Sequence, residues 1–393
     1  MIPTERNPAA AVRGLGCPGL RFAMVAAALL AGPDCGNQRS PGSPAPTPSP
    51  SSAARDQYVA KMNQSLDALI QQTSRLPQSP LVFGANLILA HEAWIDAVPQ
   101  DALELCVDAF RDAGVRRVDI NMGLFPWLDE GTPRGDQNIA KYDAVVQRIR
   151  ADGLQLVLNP QYSPTYHRLS GFDEWTQNAL SLYEEIARRY QPDILVVVHE
   201  PTTMASRLGV SVTPQQWADF AQKAAQAVNR VSRRTRRGAG GIYGDVAHFG
   251  AFAALPDIDV LTLDIYDVDQ LPTYTDMVRI GRRSGKPVYI EETWRTPFAV
   301  PRPGDTADTI ATRGVGDQGF QPLDAKWLQA LTQYAGALGL EAITPSWTQA
   351  FFKYVPEGGG DALDPAYTAQ VVQALRNGER TQTYLAFSAL SRR

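Results

Sequence analysis

The chain has 393 residues, of which 44% are hydrophobic and 20% are charged, a balance that excludes intrinsic disorder and indicates a globular protein. Its formal net charge is −4, whereas a nucleic-acid-binding protein normally carries a basic stripe. The arginines at positions 233, 234, 236 and 237 are interpreted as the end of a helix, where cations complement the helix dipole. We therefore expect no nucleic-acid partner.

Residues 1–39 resemble a signal or lipoprotein-like leader. Arginines precede an apolar run at residues 22–31, which is too short to cross a membrane comfortably. Cys35 stands where a bacterial lipoprotein has its lipidated cysteine, but Gly32-Pro33-Asp34 departs from the small apolar residues that usually precede it. We expect an exported, extracytoplasmic protein that is anchored through a lipid on Cys35, or else secreted or periplasmic. A start without any targeting role is the remaining alternative.

Residues 40–55 are rich in proline and serine, which predicts a disordered linker. The folded domain is expected to span residues 56–393 as a single, monomeric unit. The three cysteines are too few for a disulfide framework. Cys106 lies on the apolar side of a predicted helix and is interpreted as a small core residue.

Helical and strand-like patterns alternate along the domain, after a first helix at residues 56–76 that is expected to close its bottom. The predicted strands are 81–86, 117–121, 154–159, 193–198, 240–244, 260–266, 286–294 and 341–347. The helices between and after them are 100–113, 137–151, 173–190, 213–234, 272–283, 324–338 and 366–377. Near-continuously apolar strands in such an alternation predict a parallel α/β fold, and eight units favour a closed (β/α)8 TIM barrel. No dinucleotide fingerprint follows the first strand and no P-loop is present, so we expect no cofactor.

Two of the predicted strands end in glutamate. The fourth strand leads into His199-Glu200-Pro201, and the seventh leads into Glu291-Glu292-Thr293. The carboxyl ends of parallel barrel strands build the active site, so these carboxylates are expected to converge. Glycoside hydrolysis needs such a pair, because one carboxyl protonates the leaving oxygen while the other attacks the anomeric carbon or activates water.

Further motifs extend this pattern: Asp264-Ile265-Tyr266 ends the sixth strand, and Trp347 lies on the last one. In their order and spacing, these motifs resemble those of the clan A glycoside hydrolases, over residues 80–378, and most of all the endo-β-1,4-galactanase-like branch. The resemblance implies a retaining glycosidase that cleaves β-linked oligo- or polysaccharides, with Glu200 as the acid/base and Glu292 as the nucleophile. It also implies that Tyr266 hydrogen-bonds the nucleophile and that Trp347 forms a floor on which a sugar ring stacks.

Three features leave alternatives open. Glu291 competes with Glu292 as the nucleophile, and strand alternation implies that only one of them points inward. The family usually has asparagine where this chain has His199, and arginine where it has Asp119. His199 can still donate a hydrogen bond, whereas Asp119 is expected to repel Glu292 or to pair with an arginine from elsewhere. A catalytically inactive carbohydrate-binding barrel at the cell surface is therefore the second hypothesis.

A metal-assisted barrel hydrolase is the third hypothesis, because His91, His167, His199 and His248 all follow predicted strands. That class carries His-x-His after the first strand, and the chain has Ala90-His91-Glu92 instead. We therefore predict no metal site, and His91 and His248 are interpreted as solvated or helix-capping residues.

Aromatic and amide side chains after the strands suit a carbohydrate site, because sugar rings stack on aromatic faces. Trp294 and Trp347 directly flank strand ends and, with Trp127, are predicted to contact the substrate. Asn121 and Asn159 are predicted to bind sugar hydroxyls, and the loop at residues 293–322 is expected to border the cleft. Other candidates are Asn86, Phe125, Gln161, Tyr162, Tyr166, Phe351 and Tyr354.

Overall fold

The computed structural model describes residues 52–162, 168–296, 312–356 and 360–393. The leader and most of the predicted linker lie outside the described residues, as do Tyr166, His167 and the middle of the loop at 293–322. The side chain of Phe125 also lies outside them.

Eight parallel strands close into one barrel in chain order, which confirms the predicted (β/α)8 fold. The strands are β1 Val82–Asn86, β2 Arg117–Gly123, β3 Gln155–Gln161, β4 Ile194–Val198, β5 Arg236–Gly241, β6 Val260–Ile265, β7 Val288–Thr293 and β8 Ala342–Pro345. Closure is made by β1 and β8, where Val82 pairs with Ala342 and Phe83 pairs with Ile343. All strands run the same way, so their carboxyl ends meet at one end of the barrel, called here the upper end.

Helices surround the barrel. They are α1 Ser52–Thr73, α2 Gln100–Ala113, α3 Phe125–Leu128, α4 Pro133–Ala151, α5 Phe172–Tyr190, α6 Pro201–Leu208, α7 Pro214–Val231, α8 Val246–Ala254, α9 Leu271–Arg283, α10 Gln321–Ala337, α11 Pro365–Arg376 and α12 Gln382–Ser391. The short helices α3, α6 and α8 and the last helix, α12, were not predicted. Within the described part of the chain, no helix is both long enough and apolar enough to cross a bilayer.

The first helix, α1, lies along α10 in the outer layer and does not close the bottom of the barrel. Arg55 forms an ion pair with Asp317 at 3.3 Å near its start, and Thr73 hydrogen-bonds Gln333 at its end. The helix begins at Ser52, inside the segment predicted as linker.

The arginine cluster does not end a helix as predicted. Helix α7 ends at Val231, and β5 begins at Arg236, earlier than the predicted strand at 240–244. The Arg236 guanidinium lies 2.8 Å from Glu341, which also pairs with Arg117 at 2.6 Å. These residues form an ionic network at the lower end of the barrel, where Arg117 also lies over the ring of Tyr289 at 4.9 Å.

Strand β5 is rich in glycine because its neighbours approach very closely. A Cβ on Gly240 would lie 2.0 Å from the backbone oxygen of Thr262, and one on Gly241 would lie 3.2 Å from the Cα of Glu200. The backbone N–H of Glu200 donates to the Gly240 carbonyl at 3.2 Å. The glycines therefore let the backbone of the predicted acid/base residue settle against β5.

Strand β7 contains a bulge. Against β6, Leu263 pairs with Ile290 and the next residue, Asp264, pairs with Glu292, which leaves Glu291 as an extra residue. The pairing with β8 shifts over the same stretch. A bulge re-aims side chains, so both Glu291 and Glu292 contact residues of the barrel interior, and the prediction that only one points inward is wrong.

Candidate active site

Glu292 lies at the upper end of β7 and is held from two sides. One of its carboxylate oxygens accepts a hydrogen bond from the Asn121 amide on β2, and the other accepts one from the Tyr266 hydroxyl after β6. The same hydroxyl lies 3.1 Å from the Ser346 hydroxyl after β8. Both oxygens are thus engaged by donors, which is the hydrogen-bonding pattern of an oriented carboxylate.

Glu291 is fully buried beside this pair of contacts. Its Oε1 accepts a hydrogen bond of 2.8 Å from the Asn159 amide nitrogen, which also lies 2.8 Å from Nδ1 of His199. Asn159 therefore contacts a carboxylate and a histidine, and in this structure no sugar hydroxyl is needed to explain its position.

His199 lies at the centre of the acidic side chains. Its Nδ1 is 3.6 Å from Glu291 Oε2 and 3.8 Å from Asp264 Oδ2, and its Nε2 is 3.8 Å from Glu292 Oε1. Burial alone would lower the pKa of His199, but Asp264, Glu291 and Glu292 together raise it well above the ordinary value. His199 is thus shared by these three acids.

Glu200 directly follows β4 and has a left-handed backbone, with φ 42° and ψ 66°, an uncommon conformation for a residue with a side chain. Its side chain is buried, and burial raises the pKa of its carboxyl to about 8; Glu292 raises it further and His199 opposes the shift. Glu200 therefore holds a proton at neutral pH, as a general acid must.

Asp119 and Asp264 are two further buried acids. Burial raises the pKa of Asp119 to about 8; Arg117 opposes the shift, and repulsion from Glu291 and Glu292 adds to it. Burial likewise raises the pKa of Asp264 well above its usual value, with His199 opposing. Neither oxygen of Asp264 has a hydrogen-bond partner among the described residues.

A cavity of about 30 Å³ opens at the upper end of the barrel, room for water molecules but not for a sugar ring. The predicted residues that line it are Asn121, Gln161, His199, Tyr266, Glu292 and Trp347. The residues whose role was missed are Ile88, His91, Ala93, Trp94, Thr312, Ser346 and Leu363. Glu200 is not among the described residues that line it.

The tryptophans divide into two groups. Trp347 lines the cavity and lies edge-to-face with Trp94, with ring centroids 6.3 Å apart. Trp94 was missed, although it follows His91 by one helical turn. Trp294 is 1% exposed and packs near Phe351, and Trp127 stacks on Tyr142. Both are packing residues, which corrects the expectation that they contact substrate.

The other predicted residues have structural contacts. Phe351 is buried, Tyr162 is almost fully buried, and the Tyr354 hydroxyl donates to Asp324 at 2.7 Å. The side-chain N and O of Asn86 are buried without a hydrogen-bond partner in the described chain. The loop at 293–322 does reach the cavity, through Thr312.

His91 was interpreted as solvated or helix-capping, and it caps the short 3₁₀ helix Ile88–Ala90 rather than being solvated. It is 4% exposed, and its Nδ1 accepts a hydrogen bond of 3.1 Å from the Ala93 backbone N–H. Burial lowers the pKa of His91 to about 3, so its ring is neutral at the cavity wall. His248 is mostly buried and lies 3.5 Å from Asp245.

One group of side chains has the composition of a metal-binding site. His199, Glu200 and Asp264 are all buried, and each offers a nitrogen or carboxylate oxygen within 4.8 Å of the others. Histidine and carboxylates are common ligands of divalent transition metals. The sequence did not predict this group, because its members come from β4 and β6.

No protein-family model matches the sequence, and no curated protein matches it. By fold, the chain is similar to the exo-β-1,4-mannosidase Op5Man5 from Opitutaceae bacterium strain TAV5, with 14% identity and a TM-score of 0.56, over 80% of this chain and 59% of that one. It also matches the endo-1,4-β-mannanase from Rhizomucor miehei, with 11% identity and a TM-score of 0.49, over 77% and 95% of the chains. Thermotoga maritima Cel5A in complex with cellobiose matches with 15% identity and a TM-score of 0.48, over 75% and 97%. At 14% identity, the similarity to the exo-β-1,4-mannosidase shows the (β/α)8 fold alone.

Proposed function

We propose that the protein is a glycoside hydrolase that cleaves β-glycosidic bonds of an oligo- or polysaccharide with retention of configuration. The observation that carries this proposal is a pair of glutamates at the upper ends of β4 and β7 in different environments. Glu292 lines the cavity with both oxygens hydrogen-bonded, whereas burial raises the pKa of Glu200 to about 8. One carboxylate and one carboxylic acid are what a retaining glycosidase requires.

In the proposed reaction, a Glu292 oxygen attacks the anomeric carbon while the bond to the leaving oxygen breaks. Glu200 gives its proton to that leaving oxygen. Water then attacks the anomeric carbon, gives a proton to Glu200 and releases Glu292. Asn121 and Tyr266 orient the attacking carboxylate through their hydrogen bonds.

The proposed substrate is a chain of β-linked sugars. Trp347 and Trp94 supply aromatic surface at the cavity wall, and Gln161 and Ser346 supply hydrogen-bonding groups there. The sequence motifs resemble those of the endo-β-1,4-galactanase-like branch without fixing the sugar, whereas one structurally similar enzyme is an exo-β-1,4-mannosidase. Both sugar classes therefore belong in the first substrate screen.

The test is a screen of aryl β-glycosides and β-linked polysaccharides, with release of the aryl group or of reducing ends as the readout. The wild-type protein is expected to cleave at least one substrate, and Glu292→Gln to cleave none at a measurable rate. Oligosaccharide binding by calorimetry without any release would instead favour the inactive carbohydrate-binding barrel. The anomer formed first, observed by NMR, separates retention from inversion.

We also propose that the enzyme acts outside the cytoplasm, which the arginine-flanked apolar run at residues 22–31 supports. Labelling of the expressed protein with a radioactive fatty acid, with Cys35→Ser as the control, separates lipid anchoring from plain secretion. Protein that stays in the cytoplasm would contradict this proposal.

A further inference from the structure

Asp119, Asp264 and Glu291 are buried acids with carboxyl oxygens that have no hydrogen-bond partner among the described residues, and two of them, Asp264 and Glu291, lie near His199. Asp264 is fully buried, and neither of its oxygens has a hydrogen-bond partner among the described residues. Oε2 of the fully buried Glu291 also has no hydrogen-bond partner among the described residues. Burying a carboxylate without a hydrogen-bond donor or a cation costs free energy, because the lost contacts with water are not replaced. A buried carboxylic acid whose proton has no acceptor carries the same kind of cost.

Both of these acids face the same nitrogen. His199 Nδ1 lies 3.8 Å from Asp264 Oδ2 and 3.6 Å from Glu291 Oε2. These separations are longer than an ordinary hydrogen bond. They fit two ligand atoms of one cation, because metal–ligand bonds of about 2.0–2.2 Å hold neighbouring ligand atoms about 3–4 Å apart.

Glu200 adds a third donor, since its carboxylate, Asp264 and His199 offer atoms within 4.8 Å of one another. In the described part of the chain, no lysine or arginine forms an ion pair with Asp264 or Glu291. Among the described residues, His199 is therefore the one cationic side chain within ion-pair distance of these two acids.

We propose that a divalent transition-metal cation binds between His199, Glu200 and Asp264, with Glu291 beside it. One imidazole and several carboxylates suit Zn²⁺ or Mn²⁺ better than Ca²⁺, which takes oxygen ligands. The Asn159 amide nitrogen that now faces Nδ1 at 2.8 Å gives way when the ion binds. Rotation of that amide brings its Oδ1, which has no hydrogen-bond partner among the described residues, toward the ion.

The consequence for activity rests on the proposed function. A cation that takes Glu200 as a ligand displaces its proton, because metal ligands bind deprotonated. The general acid is then lost, so Zn²⁺ or Mn²⁺ inhibits glycoside cleavage. Metal binding itself does not depend on glycosidase activity, so the two proposals succeed or fail separately.

The test starts from the full chain after treatment with a chelator. Titration with Zn²⁺ and Mn²⁺ by calorimetry is expected to show one site per chain, and Asp264→Asn to weaken binding at least a hundredfold. Asp119→Asn is the matched control, because it makes the same change at another fully buried barrel acid and is expected to leave affinity within a few-fold. Thermal melts confirm that each variant is folded.

A second measurement needs no variant. X-ray absorption of the wild-type protein loaded with Zn²⁺ is expected to show one imidazole among oxygen ligands. Binding weaker than millimolar, equal binding by wild type and Asp264→Asn, or a zinc shell without nitrogen would overturn the proposal. Metal binding in a protein without glycosidase activity would support the proposed metal site and contradict only the proposed glycoside hydrolase function.

Discussion

The barrel buries ionisable side chains at both ends, but the two ends differ in whether pairing with groups of opposite charge lowers the carboxyl pKa. At the lower end, Glu341 lies 2.6 Å from Arg117 and 2.8 Å from Arg236. Burial would raise the pKa of Glu341, but these two arginines lower it. At the upper end, burial raises the pKa of Glu200 to about 8, and Asp264 has no hydrogen-bond partner among the described residues. Removing one partner of a buried ion pair destabilises the fold, whereas acid groups with strongly shifted pKa values in a cleft mark sites that bind or react.

The largest expected effect comes from the upper end. Glu292→Gln keeps the size of the side chain but removes the nucleophile, so kcat on an aryl β-glycoside should fall by at least about a thousandfold. The melting temperature should change little, because the glutamine oxygen can still accept from Asn121 and its NH2 group can donate to the Tyr266 hydroxyl, which also accepts hydrogen bonds. Activity within tenfold of wild type would remove Glu292 from the proposed reaction.

The same substitution at the lower end should have the opposite pattern. Glu341→Gln leaves Arg117, which is 2% exposed, without its carboxylate, and should destabilise the fold by about 2 kcal/mol or more. Turnover per folded molecule should stay within a few-fold of wild type. Urea unfolding and kinetics on the same sample provide the measurement. Loss of turnover without loss of stability would contradict the assignment of a structural role to the lower end and a catalytic role to the upper end.

The pH profile distinguishes Glu200 from an ordinary carboxyl. A general acid acts only while protonated, so in metal-free protein kcat/KM should fall as pH rises through about 8, the raised pKa of Glu200. An unperturbed glutamate would lose its proton near pH 4–5 instead. The profile is measured with a poor leaving group, for which protonation matters most. A decline already complete at pH 6 would contradict the role of Glu200.

A smaller effect is expected at Asp119. Its folded pKa of about 8 exceeds the unfolded value of 3.8, so the folded state holds the extra proton between these values and stability falls as pH rises through that window. Asp119→Asn removes this dependence and should stabilise the protein at pH 8 relative to pH 5 by about 1 kcal/mol or more. Urea unfolding of both proteins at pH 5 and pH 8 gives the change in the free energy of unfolding. An equal change at the two pH values would contradict this prediction.

The barrel was predictable because its strands are short apolar runs whose burial on both faces leaves a strong signal, as in residues 193–198. Strand β5 was misplaced because its glycines reflect close approach to Thr262 and Glu200, a tertiary contact that propensity does not contain. Arg236 and Arg237 begin β5 and pair with Glu341 and Asp259, and these contacts too are tertiary ones that a helix-end pattern does not contain.

The site was predictable where a residue directly ends a strand, as Glu292 and Tyr266 do. The inward turn of Glu291 was not, because the bulge depends on pairing with two other strands. Trp94 and the convergence of His199 with Asp264 were missed because they join separate β/α units. Trp294 directly flanks a strand end as well, but its ring is buried near Phe351, a contact that the sequence pattern does not contain.

The most direct test of the upper end as a glycosidase site is trapping with a 2-deoxy-2-fluoro-β-glycoside that carries a good leaving group. The fluorine slows the second step, so the glycosyl-enzyme should accumulate, and peptide mass spectrometry should find the sugar on Glu292. Glu200→Gln should still form this adduct, because a good leaving group needs no proton. A sugar on Glu291, or turnover without any covalent adduct, would contradict the proposed mechanism.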